Sequence, residues 1–291
     1  MKLVILGSGT PNAEPWASFP SCAVIDEDKV YIVDCGPGVV RACTQAFYKG
    51  VSELRPQNLS CLLVTHLHSD HTAGLAELLT IPWVLERTDP LRIYGPSGIR
   101  SMAEYIRAAY EADISCRDGG LQPANETGIQ TEVREIREGT VLTENAMQIT
   151  AFRTDHGSLE SYGYVFEKDG HKIVVSGDTK ALEIMKEKAA GADILVHEAE
   201  YTAGIAERTE EWRNYHRTVH TMSEDLAEII NAAKPALTVT THRILHLNYY
   251  GKEPVSLDEV RRRKEILLKE IKEKTDCPVV NGHDLDVFEV C

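Results

Sequence analysis

Three histidines and an aspartate stand within six positions of this chain, His66, His68, Asp70 and His71. Imidazole nitrogens and carboxylate oxygens are the donor set of a divalent cation, and such a cluster suits Lewis-acid chemistry on water or on an ester. The apolar and β-branched run over 62–65 reads as a buried strand, and 72–79 reads as a short helix. The four side chains are therefore expected on the connecting turn. Alternation on an extended stretch sets His66 and His68 on one side, whereas Asp70 and His71 fall where the chain bends, an arrangement suited to two adjacent metals. The bland alternative is a solvated turn, and the density of ligand types behind an apolar strand argues against it.

Other segments must complete the coordination. Strand-like runs end near residues 34, 65, 153, 176, 196 and 240, with an aspartate or histidine at or just past each end: Asp34, His66, His156, Asp178, His197 and His242. Side chains at common strand ends collect along one edge of a sheet assembly, so one site at that edge is expected. Asp34 reads equally as a turn former or as the partner of a ligand histidine. Helical patterns cover 39–48, 99–110, 180–190, 223–233 with Ser223 as cap, and 256–275. Residues 115–131, rich in Gly, Asn, Gln and Thr, read as a connection or as a flexible surface over the site. Strands and helices recur on both sides of it. Two β-rich halves with helices outside make an α/β, four-layer αββα sandwich in a single domain spanning 1–291.

Length and composition agree. The 291 residues are 43% hydrophobic, enough for a sizeable core, and 31 Lys plus Arg against 45 Asp plus Glu give a net charge of −14. That balance works against non-specific attraction to nucleic acid or to anionic membranes. No apolar run reaches the ~20 residues of a membrane span, and the first one stops at Gly7, so a cytoplasmic protein is expected. Gly7-Ser8-Gly9 after a strand lacks the third glycine and the helix of a dinucleotide site, since Pro11 and Pro15 follow. The seven cysteines form no C-x-x-C pair and read as reduced thiols, most of them buried.

The motif at 66–71 matches H-x-H-x-D-H at all four positions, and here the chain resembles the metallo-β-lactamase superfamily, in its ribonuclease Z-like and arylsulfatase-like branch. The resemblance extends from Leu6-Gly7-Ser8-Gly9-Thr10-Pro11 to Gly282-His283-Asp284-Leu285-Asp286-Val287, and it implies the same αββα architecture. It also implies His156, Asp178 and His242 as the remaining ligands. One metal would take His66, His68 and His156, the other Asp70, His71 and His242, with Asp178 bridging. Zn²⁺ is the expected ion, Mn²⁺ and Fe²⁺ the alternatives. Two such ions, offset by Asp70, Asp178 and a bridging hydroxide, leave roughly +1 in the pocket, which favours an anionic substrate.

By the same resemblance Asp70, Glu198 and His220 are the catalytic residues. His197-Glu198-Ala199-Glu200 and His220-Thr221-Met222-Ser223 partly match the family's His-Glu-Ala-Thr and His-Ser-Thr motifs, and Glu198 would make His220 a general acid for the leaving group. The segment holding Trp212, Tyr215, His216 and Val219 has helical spacing and reads either as packing or as a substrate wall. His171, His246 and His283 are given no role. The tRNA-processing members carry a long basic arm between the positions matching His156 and Asp178, where this chain has only 21 residues. It also has no Lys or Arg from Leu3 to Asp28. The expected substrate is a small phosphodiester or similarly anionic ester, not tRNA; no membrane partner is expected, and a homo-oligomer is compatible with the reading. The alternatives are an arylsulfatase-like or lactone hydrolase on the same site and a metal-stabilised binding protein.

Overall fold

The computed structural model describes residues 1–249 and 251–290, so Cys291 of the expected thiols lies outside the described residues. Chain contacts divide it into two units, Met1–Arg137 with the stretch from His283, and Glu138–Gly282. The first unit runs β1 (Lys2–Gly7), β2 (Ser21–Asp26), β3 (Lys29–Val33), α1 (Val39–Tyr48), β4 (Cys61–Leu63), α2 (Ser69–Thr72), α3 (Leu75–Val84), β5 (Leu91–Gly95), α4 (Ile99–Ala109), α5 (Glu111–Arg117) and β6 (Thr131–Glu135). Alternate residues Val4 and Leu6, Ala23 and Ile25, Val30 and Ile32, Leu62 and Val64, and Leu91 and Ile93 form one core with Val39, Cys43, Leu75, Leu78 and Ile99 of the helices. Period-two side chains on the sheet thus meet helical stripes, which decides which face of these strands turns to the helices.

The second unit runs β7 (Gly139–Glu144), β8 (Met147–Arg153), β9 (Tyr162–Lys168), β10 (His171–Val175), α6 (Glu183–Lys188), β11 (Ile194–Glu200), α7 (Thr202–Ile205), α8 (Glu210–Val219), α9 (Ser223–Ala233), β12 (Leu237–Ile244), α10 (Leu257–Lys272) and β13 (Val279–Asn281). Phe152, Val165, Val174 and Leu195, one from each of four neighbouring strands, pack on Met185 and Ala189 of α6 and Ile229 and Ala233 of α9. β14 (Val287–Glu289) then closes the first sheet against β1. The sheet orders are β14-β1-β2-β3-β4-β5-β6 and β13-β12-β11-β10-β9-β8-β7. In the first sheet β3 to β6 are parallel. In the second, β10, β11 and β12 are parallel, and β8, antiparallel to β9, points the same way as β10. Within each unit the strands that precede the candidate site residues therefore end at one edge.

Three local expectations change. Ser223 does not cap α9: its hydroxyl binds Glu270 and Thr202 Oγ1 instead. β7, unread in the sequence, has only Val141 buried and so shows little apolar alternation. Residues 118–130 lack helix and strand but are pinned: Trp83 Nε1 donates to Asn125 O at 2.7 Å and Arg87 Nη2 to Gly128 O at 2.7 Å. The fully buried Arg87 also donates Nη1 to Leu59 O and Leu78 O at 2.8 and 2.9 Å and Nη2 to Leu79 O at 3.1 Å. One guanidinium thus joins α3, the 118–130 segment and the chain before β4, and burial pulls its pKa down to about 10. Arg87→Met keeps the volume and removes these donors, so urea denaturation of the variant should show a loss of about 3 kcal/mol or more. An unchanged midpoint would contradict the anchoring role.

Candidate metal and acid–base site

Asp34 organises the first ligand set. It follows β3 directly, with φ of 59°, and is buried. Its Oδ1 accepts from Thr65 N at 2.7 Å, and its Oδ2 accepts from Thr65 Oγ1 at 2.8 Å and lies 2.7 Å from His71 Nδ1. With Nδ1 committed to a carboxylate, His71 has Nε2 as its candidate metal donor, and Asp34 is the hydrogen-bond partner of that candidate ligand rather than a mere turn former. The sequence reading put Asp70 and His71 on a turn, whereas the structure puts them in α2, a single helical turn. That turn lies against the loop after β3: Cys35 N donates to His71 O and Gly74 N to Cys35 O, both at 2.8 Å. A Cβ at Gly36 would fall 2.5 Å from Asp70 O, which is why glycine stands there.

The donor atoms converge in the pairs expected. His66 Nε2 and His68 Nδ1 are 2.9 Å apart, while Asp70 Oδ2 and His71 Nε2 are 3.5 Å apart. Such separations suit two ligands of one cation at bond lengths of about 2.0–2.2 Å. His66, Asp70 and His71 are buried and His68 is half-buried, so the atoms are shielded without being sealed.

The second unit supplies its own set. His156 Nδ1 lies 2.8 Å from Val219 O, which fixes the proton there and leaves Nε2 for a metal. Asp178 Oδ2 is 3.2 Å from His242 Nε2. His242 was expected beyond a strand end, yet β12 continues to Ile244 and His242 is the extra residue of a bulge: Glu198 pairs with Thr241 and Ala199 with Arg243. Its φ of 43° goes with that bulge, which re-aims the side chain without ending the strand. Candidate donor atoms of His156, Asp178 and His220, and those of Glu198, His220 and His242, each lie within 4.8 Å of one another.

Glu198 and His220 form a close pair. His220 Nδ1 is 3.0 and 2.9 Å from the two carboxylate oxygens, and Thr179 N donates to Oε1 at 2.7 Å. Burial, and then the Asp178 carboxylate, push the Glu198 carboxyl above its ordinary value, against His242 and the Thr179 amide. Burial also lowers the His156 pKa, so its imidazole is held neutral, as a ligand must be. His197 is likewise buried, with a pKa of about 4 and Nδ1 2.8 Å from Glu198 O, so in His197-Glu198 the glutamate is the available group. Excess buried carboxylate beside neutral imidazoles is a donor set that fits divalent cations.

One residue given no role and one passed over belong to a further cluster. Glu200, fully buried, lies 2.6 Å from His246 Nε2 and 3.2 Å from His216 Nδ1. Two acids at 198 and 200 share one face of a strand, a signal that was present in His-Glu-Ala-Glu. His171 and His283 sit beside Asp193 and Asp286 at 3.5 and 3.4 Å. Of the described cysteines, none is in a disulfide; Cys116 is exposed, while Cys22, Cys35, Cys43 and Cys61 are buried, and burial pushes Cys43 up to about 12.

Residues 30–243 match the Beta-lactamase superfamily domain. The chain is similar to ribonuclease Z of Mycobacterium bovis (strain BCG / Pasteur 1173P2), 31% identical over 256 residues that cover 84% of this chain and 86% of that protein. Among solved structures it is similar to the metallo-β-lactamase fold protein YhfI of Bacillus subtilis (TM-score 0.70, 17% identity, 99% and 98% of the two chains covered). It is also similar to human short-form tRNase Z (TM-score 0.67, 20% identity, 100% of both chains). The expected α/β metallo-β-lactamase fold is borne out. No described helix is long and apolar enough to cross a membrane.

Two outcomes follow from this geometry. Asp34→Asn should weaken metal affinity by roughly 10–100-fold in a competition titration with a chromogenic chelator, because His71 loses its carboxylate partner. The Glu200 carboxyl, although burial alone would raise it, is held down at about 2 against 4.5 by His216 and His246. Its folded pKa is depressed, so its contribution is complete above about 4.5 and is lost as pH falls through the window toward 2, on the order of 3 kcal/mol in all. Glu200→Gln should flatten the decline of unfolding free energy in that window.

Proposed function

This chain belongs to the β-lactamase superfamily, in its ribonuclease Z-like branch, and from that membership we propose a binuclear hydrolase that cleaves a phosphodiester or similarly anionic ester of small size. It is a metal-dependent hydrolase. In this reading His66, His68 and His156 would hold one ion, Asp70, His71 and His242 would hold the other, and Asp178 would serve both. Nitrogen and oxygen donors without thiolate favour Zn²⁺. When bound, such ions would supply an activated water with a pKa of ~7 and positive charge for the ester oxygens.

The observation that carries the hydrolytic reading is the Glu198–His220 pair. Both Glu198 oxygens lie within 3.0 Å of His220 Nδ1, so Nε2 is the nitrogen left to give a proton to the departing oxygen. Asp70 would serve the reacting centre as a ligand and as one of its two fixed charges. A small anionic ester is favoured over tRNA because β9 and β10 occupy most of the span between His156 and Asp178 and make a plain hairpin there. The net charge of −14 supports the same choice.

His220→Ala should keep its metals yet lose roughly 10²–10⁴-fold in kcat/KM on esters with poor leaving groups, and much less on nitrophenyl esters. A graded series of aryl esters, with metal content measured for each protein, reads this; a penalty independent of the leaving group would remove the proton-donor role. Asp178→Ala should lower activity and metal content together, since both ions share that carboxylate.

A further inference from the structure

Glu198 and Glu200 are two residues apart on β11, a step of about 6.6 Å, and His220 follows His216 by four residues, one helical turn of about 6 Å. The two steps match. Two carboxylate–imidazole pairs therefore lie side by side, Glu198 with His220 and Glu200 with His216. The second pair is built on Glu200, where the partly matched His-Glu-Ala-Thr motif has threonine. Arg208 Nε donates to His246 Nδ1 at 3.1 Å, which obliges His246 to carry its proton on Nε2 and donate it to Glu200 Oε1 at 2.6 Å. Both His246 nitrogens are thereby used, so the trio is no further cation site. A fully buried carboxylate is costly unless paired. Here Arg208 and His246 hold it in place, and His216 Nδ1, 3.2 Å away without a linear hydrogen bond, meets a fixed negative charge.

The rings continue outward from His216. Its ring centroid is 5.6 Å from that of His220, at 32°, and 5.7 Å from that of Trp212, at 42°. Trp212 meets Tyr215 edge to face at 5.7 Å. Of this helical stripe only Val219 is packed away; Trp212 is 54% and Tyr215 47% exposed. Packing therefore does not account for the two large rings. Tyr215 stands five residues and Trp212 eight residues, two helical turns, before the imidazole that faces the leaving group, and Trp212 is linked to it through His216, which lies beside a buried acid.

We propose that Trp212, Tyr215 and His216 form a leaving-group subsite for a planar aromatic ring, with Glu200 as the positioning residue that sets His216 within it. The subsite rests on His220 being the proton donor of the hydrolase described above. A flat ring carried on the departing oxygen stacks on Trp212 and meets Tyr215 edge to face while the oxygen remains at His220. A saturated ring of the same size fills the space without stacking.

Methyl 2-phenylethyl phosphate and methyl 2-cyclohexylethyl phosphate separate these, because their leaving alcohols have similar length and basicity and differ in planarity. The wild type should release phenylethanol with a kcat/KM about tenfold above that for cyclohexylethanol. Trp212→Ala should abolish the preference and Trp212→Phe retain it. Glu200→Gln, with its folding checked by circular dichroism, should reduce the preference through KM rather than kcat. No preference in the wild type, or equal losses on both esters in the variants, overturns the subsite. If neither diester is cleaved, the hydrolytic reading fails by itself, and calorimetry with 2-phenylethyl and 2-cyclohexylethyl phosphate judges the subsite. Tighter phenyl binding that disappears in Trp212→Ala sustains it; equal binding overturns it.

Discussion

The carboxylate of Asp34 is the constraint on which the first ligand set depends. A non-glycine residue with φ of 59° is strained by about 1–2 kcal/mol, and here three contacts, from Thr65 N, Thr65 Oγ1 and His71, offset that cost. They tie the end of β3 to the chain leaving β4 and choose the tautomer of His71, a candidate ligand, in the same stroke. Thr65 Oγ1 in turn lies 3.0 Å from His66 Nδ1, so the orientation passes from one histidine to the next. Glycine at 36 and 74 lets the backbone of α2 press against that loop, where Cβ atoms would approach carbonyl oxygens to 2.5 and 2.4 Å.

The second unit reaches the same end by other means. A backbone carbonyl orients His156, a bulge turns His242, and the buried Glu198 holds His220. Each device fixes one nitrogen of an imidazole and leaves the other for chemistry. Buried acids recur because water is excluded: within a low-dielectric strand edge a carboxylate aligns an imidazole more firmly than an amide or hydroxyl does. The extension of β11 to Glu200 places one more acid in that row, and with it one more histidine.

Much of this was legible in the sequence, for identifiable reasons. Buried parallel strands read as apolar runs, so the sheets could be read directly, and the dense His-x-His-x-Asp-His spacing announced that these side chains would lie close together. Asp34 was half legible: its place after a strand was plain, but its partners depend on a backbone turn that no pattern announces. The bulge at His242 was hidden because bulges follow from ladder register, not composition. Glu200 and His246 escaped notice because 46 residues separate them, and only the β11–β12 pairing brings them together. β7 escaped because it carries so little apolar surface.

The binuclear centre is tested most directly by anomalous X-ray scattering at the zinc edge from crystals of protein purified without chelator. Two peaks about 3.5–4 Å apart are expected, one bonded to His66, His68 and His156 and the other to Asp70, His71 and His242, with Asp178 touching both. A single peak, or peaks lying away from these seven side chains, would contradict it.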